Sequence, residues 1–87
     1  MEIIFIGKSL KDLNYWEKSG NVAVRKRIRK LIEEIQKTPF EGIGKPEALR
    51  FDLSGKWSRR ITGKDRMVYE IYEGKIKIYS LKGHYEK

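Results

Sequence analysis

The sequence predicts an α+β domain over residues 1–87, built from one N-terminal strand, two helices and then three or four antiparallel strands. Two patterns indicate this class. Apolar residues recur at helical spacing between Val24 and Ile35, and a tight-turn signature, Glu73-Gly74, separates two apolar runs near the C-terminal end. Because the helices precede the strands instead of alternating with them, we expect both helices to pack on one face of the sheet.

The N-terminal segment predicts a strand and a first helix. Isoleucine and phenylalanine make residues 2–6 a short apolar strand, which Gly7 ends. Ser9 is followed three residues later by Asp12, a spacing that resembles a capping box. We therefore expect a helix over residues 10–18.

The second helix has the clearest period in the chain. Its apolar positions fall at i, i+4, i+7, i+8 and i+11, and they are Val24, Ile28, Leu31, Ile32 and Ile35. Pro39 disfavours helical backbone at Thr38, so we expect the helix to end there. The opposite face is basic, and it is either a solvated surface or a contributor to a field that attracts RNA.

Three strands are predicted after the second helix, over residues 57–61, 66–72 and 75–82, with a further short strand near residues 49–53. A turn at Glu73-Gly74 places apolar residues opposite one another on one face and an ion pair on the other. The expected pairs are Tyr69 with Ile78, Ile71 with Ile76, and Glu70 with Lys77.

The preceding hairpin needs a loop with an odd number of residues if its apolar side chains are to share that face. We expect residues 63–65 to form this loop, with Trp57 and Met67 on the apolar face. The same choice brings Arg60 and Arg66 together on the other face.

The composition limits the classes of function. The 87 residues include no cysteine, which excludes disulfides and thiolate chemistry. No cluster has the spacing of metal ligands and no glycine-rich phosphate loop is present, so we expect no metal and no cofactor. The sequence also lacks a membrane span and a signal peptide, so we expect a cytoplasmic protein without a membrane partner.

The formal net charge of +8 favours a polyanionic partner. Nucleic acid, an acidic protein and a membrane surface all satisfy this condition, and the charge alone does not choose among them.

The candidate chemistry centres on residues 40–66. Gly42, Gly44 and Pro46 predict a shaped loop in front of Glu47, and several arginines follow it. Guanidinium groups suit the planar recognition of phosphate, so a carboxylate beside them is well placed for proton transfer near a phosphodiester.

A metal-free enzyme that acts on nucleic acid can use the 2′-hydroxyl of RNA as its nucleophile. Such cleavage requires a base for that hydroxyl, an acid for the leaving 5′-oxygen and cations around the phosphate. Glu47 can be the base and His84 the acid, while Arg66 with Arg60 or Arg50 can hold the phosphate.

Each of these residues also has an ordinary structural explanation. Glu47 and His84 can be exposed surface side chains, and Arg59 and Arg60 can protect an edge strand from aggregation. Tyr85 can be a tail residue, or it can stack on a base. From the residues alone, a non-catalytic basic module that binds RNA or the ribosome stays open beside an RNA-cleaving enzyme, as does an interaction protein with an acidic partner.

Short segments along nearly the whole chain resemble, in one order, the YoeB/Txe toxins of the RelE superfamily. The segments are residues 38–42 (TPFEG), 44–47 (GKPE), 53–55 (LSG), 57–61 (WSRRI), 66–69 (RMVY) and 84–85 (HY). The resemblance implies a RelE-like fold and a ribosome-dependent mRNA endonuclease, a toxin that cuts message in the ribosomal A site and inhibits translation. It also implies a cognate YefM-like antitoxin and a toxin homodimer.

The resemblance implies roles position by position. Glu47 looks like the general base of the family and His84 like its general acid. Arg66 looks like the residue that stabilises the charged phosphate, and Tyr85 like the terminal tyrosine that positions or stacks on the substrate. The RNA-binding candidates are Lys45, Arg50, Arg59 and Arg60.

One geometric condition remains for this site. Strict alternation along the last strand puts His84 on the face opposite Arg66. Gly83 could supply a bulge that reverses the side-chain direction. Without a bulge, His84 would reach its working position only with RNA or the ribosome bound.

Overall fold

Two helices cover one face of a five-stranded sheet in the computed structural model, which describes residues 1–84. The strands are β1 (Glu2–Phe5), β2 (Glu47–Ala48), β3 (Trp57–Arg60), β4 (Arg66–Tyr72) and β5 (Lys75–Ser80), and the helices are α1 (Ser9–Ser19) and α2 (Val22–Lys37). The strands lie in the order β1-β5-β4-β3-β2, in which β1 is parallel to β5 and the other neighbours are antiparallel. The predicted α+β class is confirmed.

The hydrophobic core lies between the helices and the sheet. The residues of α2 that are fully or almost fully buried are Val24, Ile28, Leu31 and Ile35, which confirms the predicted stripe. They meet buried side chains of the two central strands, such as Met67 on β4 and Ile76 on β5. Neither helix within residues 1–84 is both long and apolar enough to cross a membrane.

The second helix begins and ends as its local sequence predicts. The Asn21 side chain accepts a hydrogen bond from the Val24 backbone N–H at 3.1 Å and so caps the N-terminus of α2. Thr38 is the C-cap, and its N–H donates to the Glu34 carbonyl at 2.8 Å.

The capping-box prediction for α1 is wrong. The Ser9 hydroxyl donates to the Ile6 carbonyl at 2.9 Å, and no side chain caps the helix. Asp12 instead accepts a hydrogen bond from the Leu81 backbone N–H at 3.0 Å and forms an ion pair with Lys8 at 2.7 Å. The carboxylate therefore bonds to the backbone of a distant segment and to an ammonium, and not to the first turn of its own helix.

The last hairpin has the predicted register. Ile71 pairs with Ile76 and Glu70 with Lys77, and Tyr69 lies opposite Ile78. Positive φ angles at the two turn residues (49° at Glu73 and 73° at Gly74) fit the turn type that matches the twist of a two-residue hairpin.

The loop of the preceding hairpin lies one residue earlier in the chain than predicted. Arg60 pairs directly with Arg66, and the Ile61 N–H donates to the Asp65 carbonyl at 2.9 Å, so residues 62–64 form the loop. The predicted loop over residues 63–65 is therefore wrong. Because both loops contain an odd number of residues, Trp57 still shares the apolar face with Tyr69, its partner on β4.

The fourth of the three or four expected antiparallel strands is present, but it does not lie near residues 49–53. The short strand β2 lies earlier, and a 3-10 helix occupies Phe51–Leu53. The Leu53 N–H donates to the Arg50 carbonyl and the Ser54 N–H to the Phe51 carbonyl, each at 3.0 Å. These local bonds use backbone groups that a strand would need for its neighbour.

A β-bulge in β5 changes the face on which Ser80, at the end of this strand, lies. Ile78 lies opposite Tyr69, whereas Ser80 lies opposite Val68, so Tyr79 is an extra residue. The bulge that Gly83 could have supplied therefore lies at Tyr79. It places Ser80 on the same side of the sheet as Val68.

Candidate active site

The side of the sheet away from the helices carries the candidate active site. We call it the open face and define it by two rows of paired positions: Glu47, Ser58, Val68 and Ser80 in the first, and Arg60 and Arg66 in the second. Glu47 is exposed at the β2 end of the first row. Glu47 is paired with Ser58, which precedes Arg60 by two residues on β3. Residues two apart on a strand share a face, so Glu47 lies on the same face as Arg60, on the neighbouring strand.

Arg60 and Arg66 form a like-charged pair directly across two antiparallel strands. Such a pair destabilises a sheet unless an anion or solvent screens it. The Arg66 side chain is half-buried, and its Nη1 donates to the carbonyls of Thr62 at 2.9 Å and Gly63 at 3.3 Å. These bonds fix one guanidinium beside the exposed Arg60 and concentrate positive charge on the open face.

The segment that leads to His84 is held in place by hydrogen bonds from several elements. The Trp16 indole N–H donates to the Leu81 carbonyl at 2.8 Å, and the Leu81 N–H donates to the Asp12 carboxylate, so both backbone groups of Leu81 are bonded. The Arg66 N–H donates to the Gly83 carbonyl at 3.0 Å. His84 is exposed and follows Gly83 directly, so these bonds fix the backbone next to the imidazole.

Asp65 holds the same segment from the β3–β4 loop. Its carboxylate accepts hydrogen bonds from the Gly83 N–H at 2.8 Å and the Thr62 hydroxyl at 2.7 Å. Burial raises the pKa of Asp65, but these two bonds and the charges of Lys82 and Lys64 outweigh that effect, and the pKa lies below its ordinary value. The ionised carboxylate is therefore the form that holds Gly83.

The prediction that Arg59 binds RNA is wrong. The side chain is fully buried on the core side of β3. Its guanidinium donates to the carbonyls of Thr38 at 2.6 Å, Glu41 at 2.8 Å and Ile43 at 3.1 Å, which lie in the loop after α2. A group enclosed in this way holds the loop and cannot reach an external phosphate.

Tyr69 completes the surroundings of Arg59. Its hydroxyl accepts from Arg59 Nε at 3.1 Å and donates to the Pro39 carbonyl at 2.7 Å. Burial raises the pKa of Tyr69, although the hydrogen bond and charge of Arg59 act in the opposite direction. The neutral phenol is thus a second fixed point for the loop.

The loop after α2 presents Lys45 beside the arginine row. Gly44 accepts a hydrogen bond from the Arg60 N–H at 2.7 Å, and its φ is +85°. A Cβ at this position would lie 3.0 Å from Leu31 and 3.1 Å from the Arg59 side chain, so only glycine fits. Lys45 is exposed and directly follows Gly44, whose carbonyl accepts from the Arg60 backbone.

The structure places some of the predicted site residues on one face and others elsewhere. Glu47, Arg60 and Arg66 share the open face, and the Gly83 bond links the His84 segment to Arg66. The remaining RNA-binding candidate, Arg50, is exposed and lies between β2 and the 3-10 helix. Tyr85 lies outside the described residues.

Sequence reasoning missed the residues that position the His84 segment. Lys8, Asp12 and Asp65 were not among the site candidates, although Lys8 Nζ donates to the Lys82 carbonyl at 2.8 Å. The i,i+4 spacing of Lys8 and Asp12 gives a weak signal of an ion pair. Nothing in the spacing indicates that the pair meets the C-terminal segment.

A family model for the YoeB-like toxin of bacterial type II toxin-antitoxin systems matches residues 5–85. The chain belongs to the YoeB family of toxins. It is 42% identical over 85 residues to Toxin YoeB of Escherichia coli strain K12, a match that covers 98% of this chain and 100% of the relative. Membership of this family makes the protein a toxin of a toxin–antitoxin system.

Solved structures of YoeB-family toxins have the same fold. The YoeB/ParE toxin from Agrobacterium tumefaciens has a TM-score of 0.93 at 33% identity, covering 98% of this chain and 100% of that chain. YoeB of Staphylococcus aureus has a TM-score of 0.89 as a dimer and 0.88 in a heterotetrameric YoeB-YefM complex, in each case at 37% identity over 98% of both chains. The RelE-like fold that the resemblance implied is confirmed.

Proposed function

We propose that this YoeB-family toxin is a ribosome-dependent endoribonuclease that cleaves mRNA in the A site and thereby inhibits translation. The observation that carries the proposal is the directly opposed pair Arg60 and Arg66, on the same open face as Glu47. Two arginines at paired positions and a carboxylate on the same face carry the charges that phosphodiester cleavage requires. The toxin role of the family fits an activity that stops translation.

The cleavage step follows from the chemistry of these groups. Glu47 removes the proton of the 2′-hydroxyl, and the resulting oxygen attacks the adjacent phosphorus. Arg66 and Arg60 stabilise the negative charge that builds up on the phosphate oxygens. The bond to the 5′-oxygen then breaks, and His84 gives that oxygen a proton. The products are a 2′,3′-cyclic phosphate and a free 5′-hydroxyl.

No metal ion has a necessary part in this proposal. The nucleophile belongs to the RNA, and the arginines supply the positive charge that a metal would otherwise provide. Lys45 and Arg50, both exposed near β2, are proposed to bind neighbouring phosphates. Tyr85 keeps its proposed role of positioning or stacking on the substrate.

The partners of the protein follow from the same family. We propose that a YefM-like antitoxin neutralises it in the cytoplasm, and that the free toxin forms a homodimer. The S. aureus relative has been solved both as a YoeB dimer and as a YoeB-YefM complex. The positive open face would attract an acidic segment of an antitoxin and speed the association.

The test compares cleavage of A-site message on programmed ribosomes by the wild type, Glu47→Ala and His84→Ala. We expect each variant to lose about 100-fold or more in rate, because a positioned acid or base contributes about that factor. Both positions are exposed, so the variants should remain folded and still bind ribosomes. Mapping the RNA ends by primer extension gives rate and position together.

Glu33→Ala is the matched control, because Glu33 is an exposed carboxylate on α2, away from the open face. It should cleave like the wild type. Wild-type rates in both the Glu47 and His84 variants would refute the assigned roles.

A second candidate is a non-catalytic module that binds RNA or the ribosome. The exposed basic face of α2 favours it, since this face lies on the side of the molecule away from the open face. The residues of that face are Arg25, Lys26, Arg29 and Lys30. Protection of ribosome-bound RNA by the purified toxin without new RNA ends would support this candidate over the enzyme.

A further inference from the structure

A cavity of about 360 Å³ lies on the open face beside the candidate active site. We call it the base pocket. Its lining comes from separate parts of the chain, among them Leu53 after β2, Val68 on β4 and Tyr79 in the bulge of β5. Small-molecule sites begin at about 300 Å³, so a cavity of this size fits one nucleotide unit.

The charged groups around the base pocket are basic. Lys8, Lys56, Lys82 and His84 line it, and none of its lining residues within the described chain is acidic. Lys8 is paired with Asp12 at 2.7 Å, the charge of Lys82 acts on Asp65, and the Glu70 carboxylate binds the Tyr79 hydroxyl, so carboxylates behind the lining balance part of this positive charge. This arrangement selects an anionic ligand.

The walls of the base pocket suit a planar, mainly apolar group. Leu53 and Val68 supply aliphatic surface, and Tyr79 supplies an aromatic ring with the Lys56 ammonium 4.6 Å from its centroid. The Tyr79 hydroxyl donates to Glu70 Oε1 at 2.8 Å, which fixes the ring. Burial, together with the bond to Glu70 and its charge, raises the pKa of Tyr79 to about 12, so the ring stays neutral.

We propose that the base pocket binds the RNA nucleotide that follows the scissile phosphate, with its base against Tyr79 and Val68. The inference rests on the proposed function, in which His84 protonates the leaving 5′-oxygen. That oxygen belongs to the nucleotide on the 3′ side of the cut. Since His84 also lines the base pocket, this nucleotide is the one next to it. Aromatic side chains and lysines together recognise single-stranded RNA in this manner.

The experiment removes the base and the pocket residues in combination. Ribosomes are programmed with a normal message and with one that carries a single abasic nucleotide immediately 3′ of the cut. The cleavage rates are measured at subsaturating toxin for the wild type, Lys56→Ala and Tyr79→Ala. We expect the wild type to cut the abasic message at least about fivefold more slowly, because base–aromatic stacking contributes about that factor or more.

Both variants should cut the normal message more slowly than the wild type does. The ratio of the rate on the normal message to the rate on the abasic message should fall towards one in both variants. An unchanged ratio of the two rates in both variants would overturn the proposal, as would a wild type that cuts both messages equally. Lys56 is a partly exposed surface residue, so its variant keeps the test decisive if Tyr79→Ala folds poorly.

Tyr72→Ala is the matched control. Tyr72 lies on β4 near the turn to β5 and has its own lysine, with Lys77 Nζ 4.3 Å from the ring centroid. Tyr72 is outside the base pocket, so Tyr72→Ala should show the same ratio of the two cleavage rates as the wild type. A ratio near one in this variant too would overturn the pocket assignment. A wild type that cuts neither message would refute the proposed function itself, which distinguishes the two failures.

Discussion

Asp65 links the β3–β4 loop to the backbone beside His84 through a single buried carboxylate. It accepts bonds from the Gly83 N–H and the Thr62 hydroxyl, and its position in the chain directly precedes Arg66. The residue thus connects the proposed phosphate-binding arginine with the proposed acid. Removing the charge of Asp65 should therefore disturb the positions of both Arg66 and His84.

Asp65→Asn tests this role through the pH dependence of stability. Because the pKa of Asp65 in the folded protein is lowered, its ionised form stabilises the fold above the ordinary pKa of about 4. That contribution is lost as the pH falls through the lower, folded value. We expect the variant to be about 1–2 kcal/mol less stable at pH 7, and the difference to shrink below about pH 4.

Urea unfolding between about pH 2 and 7 measures the effect. Asp52→Asn, a change at an exposed carboxylate of the 3-10 helix, is the control and should follow the wild-type curve. A constant difference between Asp65→Asn and the wild type at all pH values would contradict the assignment.

At the scale of the elements, Arg59 organises the loop that connects α2 to β2. One guanidinium satisfies the carbonyls of Thr38, Glu41 and Ile43, and so gives shape to a segment with little regular structure. The loop presents Lys45 and ends at Glu47. A buried cation on β3 therefore acts on the open face indirectly, by fixing the backbone in front of the proposed base.

Arg59→Met should destabilise the protein by about 3 kcal/mol or more. The substitution keeps an unbranched side chain but leaves several carbonyls and the Tyr69 hydroxyl without their buried donor. Chemical unfolding measures the loss, and limited proteolysis should show new cleavage within residues 38–45.

Arg60→Met provides the comparison for stability. It makes the same chemical change at the neighbouring exposed residue, and it removes a like-charge contact with Arg66. We expect a change within about 0.5 kcal/mol. Similar destabilisation by both substitutions would show that burial of Arg59 has no special role.

At the scale of the whole molecule, positive charge lies on two sides of the domain. The open face carries the arginine row, and the outer face of α2 carries its own basic cluster. Both contribute to the formal net charge of +8. A field of this kind raises the rate of encounter with an RNA-rich particle before any specific contact forms.

Lys26→Glu with Lys30→Glu should slow association with ribosomes by about tenfold at low salt and leave the cut positions unchanged. The reason is that both residues lie on the outer face of α2, away from the proposed chemistry. Stopped-flow association and primer extension measure the two effects separately. The difference from the wild type should diminish as salt rises, and a salt-independent difference would contradict an electrostatic origin.

The sequence by itself determined the elements whose pattern is local. The stripe of α2 and the register at Glu73-Gly74 depend on residues close in the chain, so periodicity and turn chemistry were sufficient to predict them. The shared face of Arg60 and Arg66 followed as well, because alternation depends only on whether the loop length is odd or even.

Only the tertiary structure decided the features that depend on distant partners. The sequence predicted Arg59 as an RNA-binding residue, but in the structure it is buried on the core side of β3, where the loop carbonyls of Thr38 and Glu41 accept its hydrogen bonds. The spacing of Ser9 and Asp12 predicted a helix cap, but in the structure the Asp12 carboxylate accepts a hydrogen bond from the Leu81 N–H. The bulge at Tyr79 likewise has no local signal, since it appears only when β5 pairs with β4. Each of these positions depends on hydrogen bonds between residues far apart in the chain. The spacing of residues along the sequence does not indicate such bonds.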